Sequence, residues 1–174
     1  MRHVMIDLET LATTADAAII SIGAVKFDAK KIAEKGFYTP ISIETNLAVG
    51  RRISEDTLAW WMKQSDEARK VFNEPNEPLD NALEQLVDWI GHDNPIVWSN
   101  GASFDIPILE HAFTQFSMTV PWKFWNSRCY RTIKSLLKTK DIKIENPMKH
   151  NALADAYAQA RHLQLIWEQH GDLA

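Results

Sequence analysis

The segment Val4-Met5-Ile6-Asp7-Leu8-Glu9-Thr10 is a short apolar run that ends in two acidic residues. If the run is a strand, alternate side chains share a face, so Asp7 and Glu9 project together while Ile6 and Leu8 face the core. Like charges held this close are costly unless a cation joins them, and hard ions such as Mg²⁺ or Mn²⁺ prefer oxygen ligands. An Asp-x-Glu at a strand end is common, so the pair alone is a weak indication of metal.

The rest of the chain predicts a mixed α/β sheet covered by helices. Residues 19–27 read as a second strand and residues 32–43 as a third, which makes an antiparallel meander. Apolar periodicity and capping residues predict helices at 54–63, 65–72, 79–90, 104–116, 130–137 and 151–169. Residues 95–98 read as a further strand and residues 138–148 as a loop.

Length and composition predict one soluble domain that spans residues 1–174. Hydrophobic residues make up 45% of the 174 and charged residues 24%, which argues against global disorder. No apolar run approaches the roughly 18 residues of a membrane span, and the aspartate at position 7 comes too early for a signal peptide. A single cysteine, Cys129, excludes an internal disulfide and a cysteine-rich zinc site. A reducing, cytoplasmic setting is expected.

The charge distribution is uneven. The formal net charge is −4, whereas proteins that coat nucleic acid are usually basic. A nucleic-acid enzyme of this charge should grip a short stretch and use bound metal to offset phosphate charge. Eight basic residues nevertheless lie between positions 123 and 149: Lys123, Arg128, Arg131, Lys134, Lys138, Lys140, Lys143 and Lys149. They form either a solvated face or a surface that contacts the nucleic-acid strand.

Three further residues are candidates for chemistry. Asp105 follows a predicted strand and begins a helix, a place where an acidic residue is common for the sake of the helix dipole alone. His150 and Asp155 are five residues apart, about 500° around a helix, so they share a pocket only if His150 lies before the helix or in its first turn. Asp155 lies among small residues that let a helix approach a sheet closely: Ala154, Ala156 and Ala158.

Together these segments resemble the DEDD-type exonucleases of the ribonuclease H-like superfamily, in the histidine-containing subclass. The first motif is Asp7-Leu8-Glu9-Thr10, the second is Asn100 with Phe104-Asp105, and the third is His150 with Asp155. Residues 57–65, 101–109 and 124–128 are similar to the branch that holds the RNase AS-like enzymes and exonuclease A of T-even phages. The resemblance covers about residues 4–165. The chain departs from many of these relatives at Cys129, where they carry an aspartate.

The resemblance implies a ribonuclease H-like fold and a 3′-5′ exonuclease that releases nucleoside monophosphates. It implies two divalent cations, Mg²⁺ or Mn²⁺, one held by Asp7, Glu9 and Asp155 and the other by Asp7 and Asp105. His150 is then the general base that takes a proton from the attacking water. Relatives are often homodimers, so a homodimer is expected.

The implied substrate is the single-stranded 3′ end of DNA or RNA. The similarity to phage exonucleases favours DNA and the RNase AS similarity favours RNA that ends in adenylate, and we expect DNA slightly ahead. Leu11 is placed to wedge against the terminal base, and one of two adjacent tryptophans could stack on it while the other is core. The predicted substrate contacts are Thr10, Leu11, Trp60, Trp61, Ser103, Phe104 and Arg128.

Two other classes of function stay open from the residues. A catalytically inactive nuclease fold could serve as a nucleic-acid-binding module, although such proteins usually lose a ligand and all five motif positions are present. A metal phosphatase or a structure-selective endonuclease could carry a similar carboxylate site. The phage resemblance also admits a phage-encoded enzyme that acts in the host cytoplasm.

Overall fold

The computed structural model describes residues 1–136, 141–146 and 148–171, and a five-stranded sheet lies at its centre. The strands are β1 (His3–Thr10), β2 (Ile19–Phe27), β3 (Phe37–Pro40), β4 (Ile96–Ser99) and β5 (Ser127–Cys129), in the spatial order β3-β2-β1-β4-β5. β1, β2 and β3 pair antiparallel, whereas β4 and β5 continue the sheet parallel to β1. The predicted mixed sheet is confirmed, including the meander at its start.

Helices cover both faces of this sheet. They are α1 (Ile43–Ala48), α2 (Glu55–Trp61), α3 (Asp66–Arg69), α4 (Leu79–Ile90), α5 (Asp105–Gln115), α6 (Tyr130–Ser135) and α7 (Ala152–His170), with short 3₁₀ turns at Lys70–Asn73 and Phe124–Asn126. Within the described residues, no helix combines the length and the apolar character that crossing a membrane requires.

The two faces of β1 belong to different parts of the molecule. Val4, Ile6 and Leu8 pack in a core with apolar residues of α4 and α5. Met5, on the opposite face, packs with buried residues of α6 and α7. The alternation along β1 therefore sends Asp7 and Glu9 to the side of the sheet that α7 covers, as the sequence predicts for this strand.

The start of α7 lies unusually close to the sheet. Gly23 of β2 pairs with Asp7 of β1, and a Cβ built on Gly23 would lie 2.1 Å from the backbone carbon of Ala152. Ala156 and Ala160, one and two turns further along α7, are fully buried. The absence of a side chain at Gly23 thus lets the helix backbone rest on the strand, which brings the first turns of α7 to the acidic residues of β1.

One prediction of local structure was wrong, and one strand was missed. The third strand is limited to Phe37–Pro40, and the region after it is helix α1, because the Ser42 side chain accepts a hydrogen bond from the Thr45 N–H and caps the helix. The strand β5 was not predicted, since three residues are too few to show alternation. Residue 137 of one predicted helix and residues 138–140 and 147 of the predicted loop lie outside the described residues.

Candidate active site

The carboxyl ends of β1, β4 and β5 meet at one edge of the sheet because these strands are parallel. Asp7 and Glu9 belong to the end of β1, and Asp105 is the first residue of the helix that follows β4. Asp155 lies in the first turn of α7, the helix that rests on Gly23. The structure therefore gathers all four predicted carboxylates at this edge.

Glu9, His150 and Asp155 form the tightest group. Each offers a ligand atom, a carboxylate oxygen or an imidazole nitrogen, and these atoms all lie within 4.8 Å of one another. His150 has a positive φ of 64°, so it lies just before the helix rather than in it, as its spacing from Asp155 requires. A set of two carboxylates and one imidazole at this separation can hold a divalent cation.

Hydrogen bonds orient the Asp155 carboxylate. The backbone N–H of His150 donates to Asp155 Oδ2 at 2.7 Å, and Asn146 Nδ2 donates to Asp155 Oδ1 at 2.8 Å. The histidine and the aspartate of the third motif are therefore joined directly by a backbone-to-side-chain hydrogen bond.

The remaining two carboxylates are held from neighbouring elements. Asp105 Oδ1 accepts a hydrogen bond from the backbone N–H of Leu8 at 3.1 Å, which ties α5 to β1. Asp7 Oδ1 accepts a hydrogen bond from Gln159 Nε2 at 2.7 Å, which ties β1 to α7. Both carboxylates are therefore held by uncharged donors, a backbone N–H and a side-chain amide, which leave the negative charges in place.

Burial raises the pKa of all four carboxylates, and at Asp7 and Glu9 the neighbouring carboxylates raise it further. Burial, followed by the charges of Asp105, Glu9 and Asp155, raises the pKa of Asp7 well above its ordinary value. Burial, followed by the charge of Asp155, raises the pKa of Glu9 to about 8. Burial raises the pKa of Asp105 to about 6, although the Leu8 N–H opposes this, and burial also raises the pKa of Asp155.

The charge and the donor atoms of the site fit divalent cations. In the described part of the chain, the ion pairs join other residues, and none neutralises this cluster. Two buried carboxylates, Glu9 and Asp105, and two half-buried ones, Asp7 and Asp155, lie together without an ion pair among the described residues, and a cation with a high charge offsets the cost of that arrangement. The all-oxygen donor set, with one imidazole beside it, suits Mg²⁺ or Mn²⁺.

The two adjacent tryptophans of α2 have different surroundings. Trp61 is 2% exposed and its indole N–H donates to the Thr10 carbonyl at 2.9 Å, so it is the core member that the sequence predicts. Trp60 is 41% exposed, and its ring lies 4.9 Å from the His150 ring at an interplanar angle of 87°. Trp60 is thus the tryptophan available to a ligand.

A groove of about 650 Å³ opens over this edge of the sheet. It is lined by residues of β1, α2, α5, α6 and the segments beside them: Leu8, Glu9, Thr10, Thr13, Ser54, Asp56, Thr57, Trp60, Trp61, Phe104, Arg131 and His150. Among the predicted substrate contacts, the groove thus includes Thr10, Trp60, Trp61 and Phe104.

Three predicted substrate contacts lie elsewhere. Leu11 is 1% exposed and packs in a small cluster with Trp61, so it supports the groove from beneath. Ser103 is exposed but does not line the groove, and Arg128 donates hydrogen bonds to the carbonyls of Trp125 and Ser127. Their contacts with substrate stay predictions, and the structure places Arg131 at the groove instead of Arg128.

Three residues at the site were not predicted as parts of it. Gln159 follows Asp155 by four residues and so lies on the same face of α7, a signal that was present in the sequence. Arg131 is the second residue of α6, which begins where β5 ends, so it could be placed only once that strand was recognised. Asn146 carries no signal, because its contact with Asp155 depends on the path of the segment before α7.

Comparison with known proteins agrees with this geometry. Residues 2–167 match the family described as the 3′-5′ exoribonuclease Rv2179c-like domain. A curated protein of Enterobacteria phage T4, named Exodeoxyribonuclease, is 29% identical in an alignment 167 residues long, and the match covers 79% of this chain and 73% of the phage protein.

Solved structures of nucleases share the fold. S. pombe Pop2p in its Mg²⁺- and Mn²⁺-bound form is 16% identical with a TM-score of 0.69, over 99% of this chain and 86% of that one. The nuclease domain of 3′hExo, a DEDDh family member bound to rAMP, is 12% identical with a TM-score of 0.64, over 99% and 94%. Exonuclease X in complex with 5′ overhanging duplex DNA is 19% identical with a TM-score of 0.60, over 99% and 95%. The chain therefore belongs to the 3′-5′ exoribonuclease Rv2179c-like family and is a 3′-5′ exonuclease of the DEDDh type with a ribonuclease H-like fold.

Proposed function

We propose that this exonuclease works with two divalent cations, Mg²⁺ or Mn²⁺. Asp7, Glu9 and Asp155 hold one cation, and Asp7 and Asp105 hold the other. The observation that carries the proposal is the convergence of these four carboxylates, with raised pKa values and no ion-pair partner within the described residues. The Mg²⁺- and Mn²⁺-bound form of Pop2p supports it, as a structure of the same fold.

The protein's own groups supply positioning and proton transfer. Bound cations activate water and neutralise the charge that develops on the phosphoryl oxygens. His150, whose ring nitrogen lies within 4.8 Å of oxygens of Glu9 and Asp155, accepts a proton from the attacking water. The hydrogen bond from the backbone N–H of His150 to the Asp155 carboxylate keeps the proposed base and the proposed metal ligand in a fixed relative position.

The groove supports a single-stranded 3′ end as the substrate. Its volume of about 650 Å³ lies within the usual 300–1,000 Å³ of a small-ligand site, which suits one terminal nucleotide better than a duplex. The exposed face of Trp60 provides a stacking platform for the terminal base, a contact of about 1–3 kcal/mol. The net charge of −4 also favours a short grip over a long duplex track.

Single-stranded DNA is the substrate that we place first. The T4 relative is named an exodeoxyribonuclease, which supports DNA, and this likeness also supports a phage-encoded enzyme of the host cytoplasm. RNA is the second candidate, because the family description names an exoribonuclease. A contact to the ribose 2′-hydroxyl would decide between the two.

The proposal is tested by digestion of matched 5′-labelled single-stranded DNA and RNA oligonucleotides with Mg²⁺, Mn²⁺ or EDTA. We expect a ladder that shortens from the 3′ end with either metal, none with EDTA, and faster degradation of DNA. Faster degradation of RNA would reverse the proposed sugar preference and leave the cation proposal standing. Digestion that persists in EDTA would contradict the cation proposal.

The inactive binding module is the competing function for this fold. It predicts tight binding of labelled oligonucleotides with no shortening under any metal. A metal phosphatase predicts release of nitrophenol from a simple nitrophenyl phosphate at a rate that oligonucleotides do not match. Both are measured with the same protein preparation, so the comparison separates three kinds of function.

A further inference from the structure

Arg131 occupies a special place in the groove. It lies in the first turn of α6, directly after β5, at the same edge of the sheet as the four carboxylates. Among the described residues that line the groove it is the only lysine or arginine, whereas Glu9 and Asp56 are acidic. A polyanionic strand that enters this groove therefore meets one fixed positive charge.

The guanidinium of Arg131 is held in position without being neutralised. Its Nη2 donates a hydrogen bond to the Asn100 carbonyl at 2.8 Å, and no carboxylate in the described part of the chain forms an ion pair with it. Of the five N–H groups of an arginine, most remain available to a ligand.

Arg131 lies near the carboxylate cluster formed by Asp7, Glu9, Asp105 and Asp155. Arg131 lines the same groove as Glu9, and its guanidinium donates to the carbonyl of Asn100, the residue that follows β4 and precedes the segment leading to Asp105. A group bound to Arg131 would then lie beside the cations that the carboxylates hold. The planar fork of an arginine matches the paired oxygens of a phosphate better than any other side chain does.

We propose that Arg131 binds a backbone phosphate of the substrate strand next to the carboxylate cluster, and so determines affinity for the strand. This inference rests on the proposed function, because it takes a nucleic-acid strand as the ligand. It moves the phosphate contact predicted for Arg128 to a different residue. Arg128 is occupied by two backbone carbonyls and does not line the groove.

The test compares Arg131→Gln and Arg131→Lys with two controls. Arg161→Gln removes the same charge from an exposed position on α7, where Arg161 pairs with Glu168 within the helix. Arg128→Gln tests the rival position. Binding of 5′-fluorescein-labelled oligothymidylate is followed by anisotropy in an Asp7→Asn background at several salt concentrations, and kcat and KM are measured with Mg²⁺ in the otherwise native protein.

We expect Arg131→Gln to weaken binding about tenfold and to reduce the salt dependence by roughly 0.7 in the log–log slope, the effect of one lost phosphate contact on a single strand. KM should rise with kcat nearly unchanged. Arg131→Lys should lie between, because it keeps the charge and loses the fork. Arg161→Gln and Arg128→Gln should bind like the parent.

Unchanged binding and salt slope in Arg131→Gln would overturn the proposal, as would an equal loss in Arg161→Gln, which would show a general charge effect. A loss in Arg128→Gln alone would return the contact to that residue. The anisotropy measurement needs no cleavage, so an inactive protein that still binds through Arg131 would contradict the exonuclease proposal and not this one. Melting temperatures check that each variant is folded.

Discussion

Gln159 Nε2 donates a hydrogen bond to Asp7 Oδ1 over 2.7 Å, and this bond joins the helix of the third motif to the strand of the first. Gln159 lies one turn after Asp155 on α7, so one helix supplies a carboxylate and also fixes another. The Gln159 Oε1 atom is buried and has no hydrogen-bond partner among the described residues. The amide cannot be reversed, because Oε1 would then face the Asp7 carboxylate.

Gln159→Leu keeps much of the volume and removes the donor. We expect metal affinity or turnover to fall about 10–100-fold, the usual effect of losing a group that orients a metal ligand. Mn²⁺ titration calorimetry and oligonucleotide digestion measure the two quantities. Gln169→Leu, at an exposed position of the same helix, is the matched control and should change neither. Full activity and full Mn²⁺ affinity in Gln159→Leu would show that Asp7 needs no such support.

His150→Ala separates a base from a ligand. If the imidazole is the base, kcat should fall about 10²–10⁴-fold while Mn²⁺ affinity stays within a few-fold of the parent. If it binds a cation, which its position within 4.8 Å of Glu9 and Asp155 oxygens also allows, Mn²⁺ affinity should fall with kcat. His92→Ala, at an exposed site outside the groove, controls for loss of a histidine. Near-normal turnover of His150→Ala would remove both roles.

Asp7→Asn removes one negative charge from the crowded cluster. Because burial and three neighbouring carboxylates raise the pKa of Asp7, the variant should melt at a higher temperature than the parent in EDTA. The stabilisation that Mn²⁺ gives the parent should be lost, and turnover should be abolished. Thermal melting in EDTA and in Mn²⁺, with the exposed Asp93→Asn as control, measures these effects. An active Asp7→Asn enzyme would disprove the shared-ligand scheme.

The stability of the metal-free protein should fall as the pH rises from about 5 to about 8. The pKa of Glu9 is raised to about 8 and that of Asp105 to about 6, so the folded state holds protons that the unfolded state, with carboxyl pKa values near 4, has released. More protons in the folded state mean that the free energy of unfolding decreases with pH in this window.

Melting at several pH values in EDTA and in Mn²⁺ measures this effect. The Mn²⁺ stabilisation should grow with pH, since protons compete with the cation. His162 acts in the opposite sense near pH 6.5, because burial lowers its pKa, so Glu9→Gln is needed to isolate the carboxylates and should flatten the EDTA curve. If the melting temperature of the EDTA-treated parent rose with pH, and Glu9→Gln showed the same pH dependence, the result would be incompatible with the pKa shifts of the cluster.

Features that depend on a few consecutive residues were predictable from the sequence. The period of two in β1 placed Asp7 and Glu9 on one face, and Ser54 and Gly91 marked a helix start and a helix end where the structure has them. The third strand was predicted to run on to Ile43, the first residue of α1, because Ile41 and Ile43 continue the alternation of apolar residues, whereas the sign of a helix start is the single polar side chain of Ser42. The local sequence pattern alone does not decide whether residues 41–43 continue the strand or begin a helix.

Features that depend on how elements are packed were not predictable. The spacing from Asp155 places Gln159 on the same face of α7, but its hydrogen bond to Asp7, 152 residues away, depends on the relative position of α7 and β1 and could not be predicted. Arg131 and not Arg128 lines the groove, since Arg128 lies within β5 and donates to backbone carbonyls whereas Arg131 lies in α6 beyond the end of the strand. The distance between two packed elements depends on the side-chain volume at their contact. For β2 and α7 the residue at that contact is Gly23.

Gly23→Ala should displace α7 from the sheet. The added methyl carbon would lie 2.1 Å from Ala152 C and 2.3 Å from Leu153 N, and these are backbone atoms that cannot rotate away. Overpacking of this kind costs at least about 1–3 kcal/mol, and the shift would move His150 and Asp155 relative to Glu9, so turnover should fall as well. Ser21→Ala is the matched control: Ser21 is buried on the same strand opposite Glu9, and its hydroxyl lacks a partner among the described residues, so its removal should cost little. Urea midpoints and digestion rates measure both effects. If Gly23→Ala retained the stability and the rate of the parent, the close approach at Gly23 would not be what holds the third motif against the first.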